Sequence, residues 1–176
     1  MHNVYLTGMP GSGKTTLGVM LSERLGLEFI DTDHYITEKQ RRTVPDIFKT
    51  RGEAYFRDLE TQALIDLSHK DRLLVSTGGG IILRPKNVEL MKKSGTVVFI
   101  DTPPAQILKN SELKNRPLLK GGDERVFALY EERIARYRES ADHILVNTGA
   151  KDDAANALYH LLSSILSGKP GWPLKP

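Results

Sequence analysis

Short apolar runs alternate along this chain with longer stretches of helical period. Residues 4–7, 28–31, 73–76, 96–101 and 143–146 are brief and mostly apolar in consecutive positions. That pattern predicts parallel strands covered by helices on both faces. Between the first two, residues 15–25 set Leu17, Met20, Leu21 and Leu25 on one helical stripe, and Gly26 stands where such a helix stops. A second helix is predicted over 53–68, with Phe56, Leu59, Ala63, Leu64 and Leu67 on one face. A third over 85–93 opens with a proline at a permitted first-turn position. Stretches 125–139 and 152–166 complete the helical set. The β-α-β-α order predicts a three-layer α/β/α domain around a five-stranded parallel sheet, spanning residues 1–167.

Two segments escape this pattern. Residues 109–123 are polar, carry two glycines and a proline, and have no clear period. They read either as a disordered loop or as a mobile lid. Residues 168–176, rich in proline and glycine and holding the single tryptophan, Trp172, read as a disordered tail.

Composition narrows the chemistry. The chain has 176 residues, enough for one domain that folds without a disulfide or metal staple. It has no cysteine, which removes thiol nucleophiles, zinc fingers and iron–sulfur clusters together. A net charge of +3 suits an anionic small molecule and gives no case for nucleic acid. No apolar run approaches the ~18–20 residues of a membrane span, and no basic, then apolar leader opens the chain. A cytoplasmic, monomeric protein is expected.

The strongest motif is Gly8-Met9-Pro10-Gly11-Ser12-Gly13-Lys14-Thr15, a G-x-x-x-x-G-K-[ST] pattern between a predicted strand and a predicted helix. Glycines let the loop turn its N–H groups inward around a phosphate, and the helix N-terminus adds partial positive charge. Lys14 then reaches the β- and γ-phosphates, and the Thr15 hydroxyl suits Mg²⁺. Asp31-Thr32-Asp33 closes the second strand at the edge where α/β sheets bind ligands. Two carboxylates two residues apart on an extended chain face the same way: Asp31 toward the metal, Asp33 toward the proton of an acceptor hydroxyl. The alternative is a turn in which Asp33 caps a helix over 34–41.

The third strand runs into Gly78-Gly79-Gly80, where bare backbone lets a ligand approach closely. Its end carries Ser76 in place of the acid usual in such proteins, so metal binding leans on Thr15 and Asp31. Arg57 lies near the edge of an apolar helical stripe, with its head either solvated or turned into a site. Arg116, in the irregular 109–123 segment, can close over phosphates if that segment is a lid. Arg133, Arg136 and Arg138 share one helix, and periodicity does not say which turns inward.

Together these residues resemble the shikimate kinase family over essentially 2–166. The matching features are 8–16, Asp31-Thr32-Asp33, Phe56-Arg57 with Glu60, the triple glycine, Arg116-Pro117-Leu118-Leu119, and Arg133 four residues before Tyr137. The resemblance implies a P-loop kinase fold with strand order 2-3-1-4-5 and transfer of the ATP γ-phosphate to the 3-hydroxyl of shikimate. It implies that Gly11, Ser12, Gly13, Lys14, Thr15 and Thr16 hold ATP phosphates, with Arg116 reaching ATP from a lid over 109–123. Thr15 and Asp31 would serve Mg²⁺, and Asp33 the shikimate hydroxyls. Arg57 and Arg133 would clamp the carboxylate, with Gly78, Gly79 and Gly80 lining the acceptor region that begins around 31–60.

The chain departs from the family on the adenine side. Lys109 stands where many relatives have an arginine seven residues ahead of the lid arginine, and Thr148-Gly149-Ala150-Lys151-Asp152 replaces an Asn-Arg-type turn with proline. Lysine stacks less well than arginine, so weaker adenine packing is expected. Two further classes compete: another small-acceptor kinase on this scaffold, of gluconate or nucleoside-monophosphate type, and a non-catalytic ATP-binding module.

Overall fold

The computed structural model describes residues 2–109 and 123–167. Five parallel strands lie in the order β2-β3-β1-β4-β5, as the family resemblance implies. They are β1 (Asn3–Thr7), β2 (Glu28–Asp31), β3 (Leu73–Ser76), β4 (Gly95–Asp101) and β5 (His143–Val146). All five agree with the apolar runs to within one residue.

Successive strand residues point to opposite faces, so each strand feeds two cores. Val4, Leu6, Leu74, Val98 and Ile100 pack on α1 (Lys14–Leu25) and α7 (Lys151–Ser167). Tyr5, Val75, Val97 and Phe99 pack on α3 (Val44–Ser68), α4 (Pro85–Ser94) and α6 (Asp123–Ser140). Each of these fully buried side chains contributes about 1.5–3 kcal/mol relative to exposure. Full coverage holds for the three central strands only. In β5, Ile144 and Val146 remain 47% and 64% exposed, and β2 is no more than half-buried, because both lie at sheet edges.

The largest departure from the sequence reading lies between β2 and β3. Helix α2 (Thr32–Gln40) begins directly after β2, and α3 (Val44–Ser68) adds an unanticipated segment ahead of the predicted 53–68 helix. The Thr43 side chain caps α3 by accepting from the Asp46 N–H, and Pro45 sits in its first turn. Gly52, at φ 81° and ψ 171°, then breaks the helix before it resumes. The pair α2 and α3 carries its own small core of Ile36, Ile47, Phe56 and Ala63. A short helix, α5 (Pro104–Ile107), and a 3-10 turn at Ile81–Leu83 were not anticipated.

Candidate active site

The site lies along the C-terminal edge of the sheet, where strand register sets its parts side by side. Asp31 pairs with Ser76 across β2 and β3, and Leu6 pairs with Ser76 across β1 and β3. The phosphate loop leaves β1 at that same edge. Gly11 and Gly13 take φ of 80° and 94°, a region that favours glycine, and α1 starts at Lys14. Two side chains from distant strand ends tie the loop down at one atom: the Ser12 carbonyl accepts from Thr102 Oγ1 at 2.9 Å and Asn147 Nδ2 at 3.3 Å. The Lys14 ammonium lies across the loop, 2.9 and 2.8 Å from the Gly8 and Met9 carbonyls, and is buried.

Thr15 Oγ1 donates to Asp31 Oδ2 at 2.7 Å and lies 3.0 Å from Ser76 Oγ. Three oxygen ligands thus gather around one point, the donor set that Mg²⁺ takes with few carboxylates and substrate phosphates. Among the described residues no group of three or more His, Asp or Glu side chains gathers. The residues therefore fit the expected Mg²⁺, with Ser76 added to Thr15 and Asp31. A cleft of about 430 Å³ opens here, bounded by Thr15, Thr16, Asp31, Asp33 and Lys151.

One local expectation is corrected. Asp31 and Asp33 do not sit on one extended strand, and Asp33 is not the helix cap. Asp31 caps α2, its Oδ1 accepting from the Asp33 and His34 N–H groups at 3.0 and 3.2 Å, so Asp33 falls in the first helical turn. That turn still carries Asp33 to the triple glycine: a Cβ added to Gly78 would lie 2.9 Å from Asp33 Oδ1 and 2.7 Å from Glu60 Oε1.

Arg57 is buried head and all, which overturns the solvated reading. Its Nη1 donates to Glu60 Oε2 at 2.7 Å, and its Nε and Nη2 both donate to Glu53 Oε1, at 3.2 and 2.7 Å. Burial works against its charge, but Glu60 and Glu53 outweigh it and its pKa is raised. Burial also pushes the Glu60 carboxyl up to about 7, against the pull of Arg57 and with help from Asp33.

Of the four arginines on α6, Arg133 is the one turned inward. It is buried and donates from Nη1 to the Gly79 carbonyl at 3.1 Å, whereas Arg138 is 57% exposed and pairs with Asp101. Tyr137, one turn on, donates to the same carbonyl at 2.5 Å, and burial raises its pKa far above the usual phenol range. The triple glycine therefore meets a different neighbour at each step. Gly78 faces the two carboxylates, the Gly79 α-carbon rests on Pro10 of the phosphate loop, and Gly80 lies against the Arg57 guanidinium.

Glu60 Oε1 and Arg133 Nε are buried with no hydrogen-bond partner among the described residues. Such atoms are costly unless a ligand or water completes them. Sequence reasoning gave no role to Glu60, Glu53, Tyr137, Ser76, Thr102 or Asn147. For Glu60 a signal existed: a carboxylate on the stripe formed by Phe56, Ala63 and Leu67. Arg116 and residues 110–122 of the expected lid lie outside the described residues, as does Trp172.

A phosphate loop on a 2-3-1-4-5 parallel sheet, with a carboxylate and paired arginines across the same edge, defines the class: a P-loop small-molecule kinase. The shikimate kinase family model matches residues 10–163. A shikimate kinase of Clostridium botulinum (strain Alaska E43 / Type E3) is 40% identical over 92% of this chain and 97% of its own length. The structure of shikimate kinase from Acinetobacter baumannii in complex with shikimate superposes with a TM-score of 0.86 at 39% identity, covering 97% of this chain and 96% of that one. That of Aquifex aeolicus gives 0.78 at 34% identity, over 95% and 99%. The chain belongs to the shikimate kinase family, and its class is that of an ATP-dependent phosphotransferase with an alcohol group as acceptor.

Proposed function

We propose that this chain transfers the γ-phosphate of ATP to the 3-hydroxyl of shikimate, giving shikimate 3-phosphate and ADP on the route to aromatic amino acids. The loop N–H groups of Gly11, Ser12, Gly13, Lys14, Thr15 and Thr16 ring the phosphates at the N-terminus of α1. The Lys14 ammonium offsets charge on the β- and γ-phosphates. Thr15, Asp31 and Ser76 would hold Mg²⁺, which when bound neutralises charge on the phosphate oxygens. Asp33 accepts the hydroxyl proton as the new O–P bond forms, the β–γ bridging P–O bond breaks, and ADP leaves. Arg57 and Arg133 grip the acceptor carboxylate, and Gly78, Gly79 and Gly80 bring backbone against the ring. Arg116, outside the described residues, would serve ATP.

The observation that carries the reading is the buried Arg57 and Arg133 pair around the triple glycine, beside a complete phosphate loop. These cations ask for a compact carboxylate with hydroxyls, not for a nucleoside monophosphate. They also account for a net +3 without nucleic acid. We further assign the chain to the cytoplasm as a monomer, with one domain over 1–167. Among the described residues no helix is long and apolar enough to cross a membrane.

ADP release from MgATP, compared with shikimate, quinate, gluconate and AMP as acceptors, tests the reading. Shikimate is expected to give by far the highest kcat/KM. Preference for gluconate or AMP would overturn it.

A further inference from the structure

Every nitrogen of the Arg57 guanidinium is already engaged, and the two partners differ sharply in depth. Nη1 is held by Glu60, whose side chain is fully buried at 0% exposure, while Nε and Nη2 are held by Glu53, 54% exposed. One face of the guanidinium is covered by Gly80, where an added Cβ would lie 2.2–2.5 Å from Nη1, Cζ and Nη2. The edge made by Nε and Nη2 is thus the edge an acceptor carboxylate can reach.

Glu53 fills that edge with a weaker version of the same contact. A single oxygen, Oε1, takes both N–H groups, at 3.2 and 2.7 Å. A free carboxylate can offer two oxygens in parallel, the geometry that suits an arginine fork. Glu53 also follows Gly52, the break in α3, and its half-exposed side chain has solvent to move into. With Glu53 half in solvent, the carboxylate side of this pair can exchange for another carboxylate.

We propose that Glu53 is a specificity-determining residue that competes with the acceptor carboxylate for the outer edge of Arg57. An acceptor gains the arginine only by presenting a carboxylate that displaces Glu53. A neutral acceptor cannot compete, and the buried Glu60 keeps the arginine aimed throughout. This rests on Arg57 being the carboxylate site.

The test is calorimetric titration of shikimate and of its methyl ester into the wild-type protein and the Glu53→Gln, Glu53→Ala and Arg57→Lys variants, each checked for folding by thermal melting. The Kd for shikimate is expected to fall by about two- to five-fold in both Glu53 variants, as for removing a competing partner that stands half in solvent. Binding of the methyl ester should not tighten. An unchanged or raised Kd for shikimate, or equal tightening of the ester, would overturn the competition and make Glu53 a mere support of Arg57. Unaltered shikimate affinity in Arg57→Lys would instead remove the carboxylate site itself, whatever the Glu53 variants do.

Discussion

The phosphate loop and the acceptor pocket meet at one sheet edge, yet they are built from different material. The loop is a contiguous run whose shape comes from backbone: three glycines at positive φ, and one carbonyl tied by Thr102 and Asn147. The acceptor pocket is assembled from α2, α3, the turn after β3, and α6, and it is held by side-chain ion pairs. A backbone site tolerates little change of conformation but needs few particular side chains. A side-chain site depends on charges that keep one another in place.

The largest break in that comparison is expected from Lys14→Ala, which removes the loop's one cation. Turnover should fall by ~10³-fold or more, as when a preorganised charge at the transition state is lost. Steady-state ADP release would check it, and an active variant would dissolve the assignment of the loop. Next comes Asp33→Asn in the acceptor half. Its kcat should drop ~10²-fold or more while ATP binding, measured by titration, stays intact.

Neighbouring glycines sharpen the boundary between the halves. In Gly80→Ala the new methyl meets the Arg57 guanidinium, and in Gly79→Ala it meets Pro10 at 2.7 Å. The first should raise KM for shikimate and the second KM for ATP, each by about tenfold, or ~1.4 kcal/mol. Equal effects on both substrates would mean that the two halves move as one body.

The remaining effect is on stability and is read in melts, not in turnover. Glu60 is raised to about 7 by burial, so the folded state holds its proton more tightly than the unfolded state, whose value is near 4.5. The resulting stabilisation is complete below 4.5 and is lost as pH climbs through 7. Glu60→Gln should flatten that slope in denaturant melts run at pH 4.5, 6 and 8.

The contrast also explains what could be read in advance. Strands and phosphate loop were legible because each depends on near neighbours: buried β-rich runs, turn residues, glycine spacing. The sheet order, which rests on pairings such as Val4 with Leu74, came from the family resemblance. The predicted start at 53 falls on the break at Gly52; what was missed is the segment of α3 ahead of it, held by packing of Ile47 with Ile36 and Phe56. Asp31 and Asp33 were placed on one strand because nothing local says that α2 begins between them. Arg133 could be picked out by family resemblance but not by period. Its inward turn is set by a carbonyl 54 residues away in the chain. Glu60 stood in plain view on an apolar stripe, but the residues around it left open whether its partner, Arg57, was solvated or turned into a site.

The triple glycine has a bearing on drug resistance. A compound resting on this tripeptide would face a surface with almost no substitutions to offer. Even the smallest side chain would come within 2.7 Å of other atoms at Gly78 and Gly79, and 2.2 Å at Gly80. An escape mutation there would strike the enzyme's own carboxylates, phosphate loop or arginine before it reached the inhibitor.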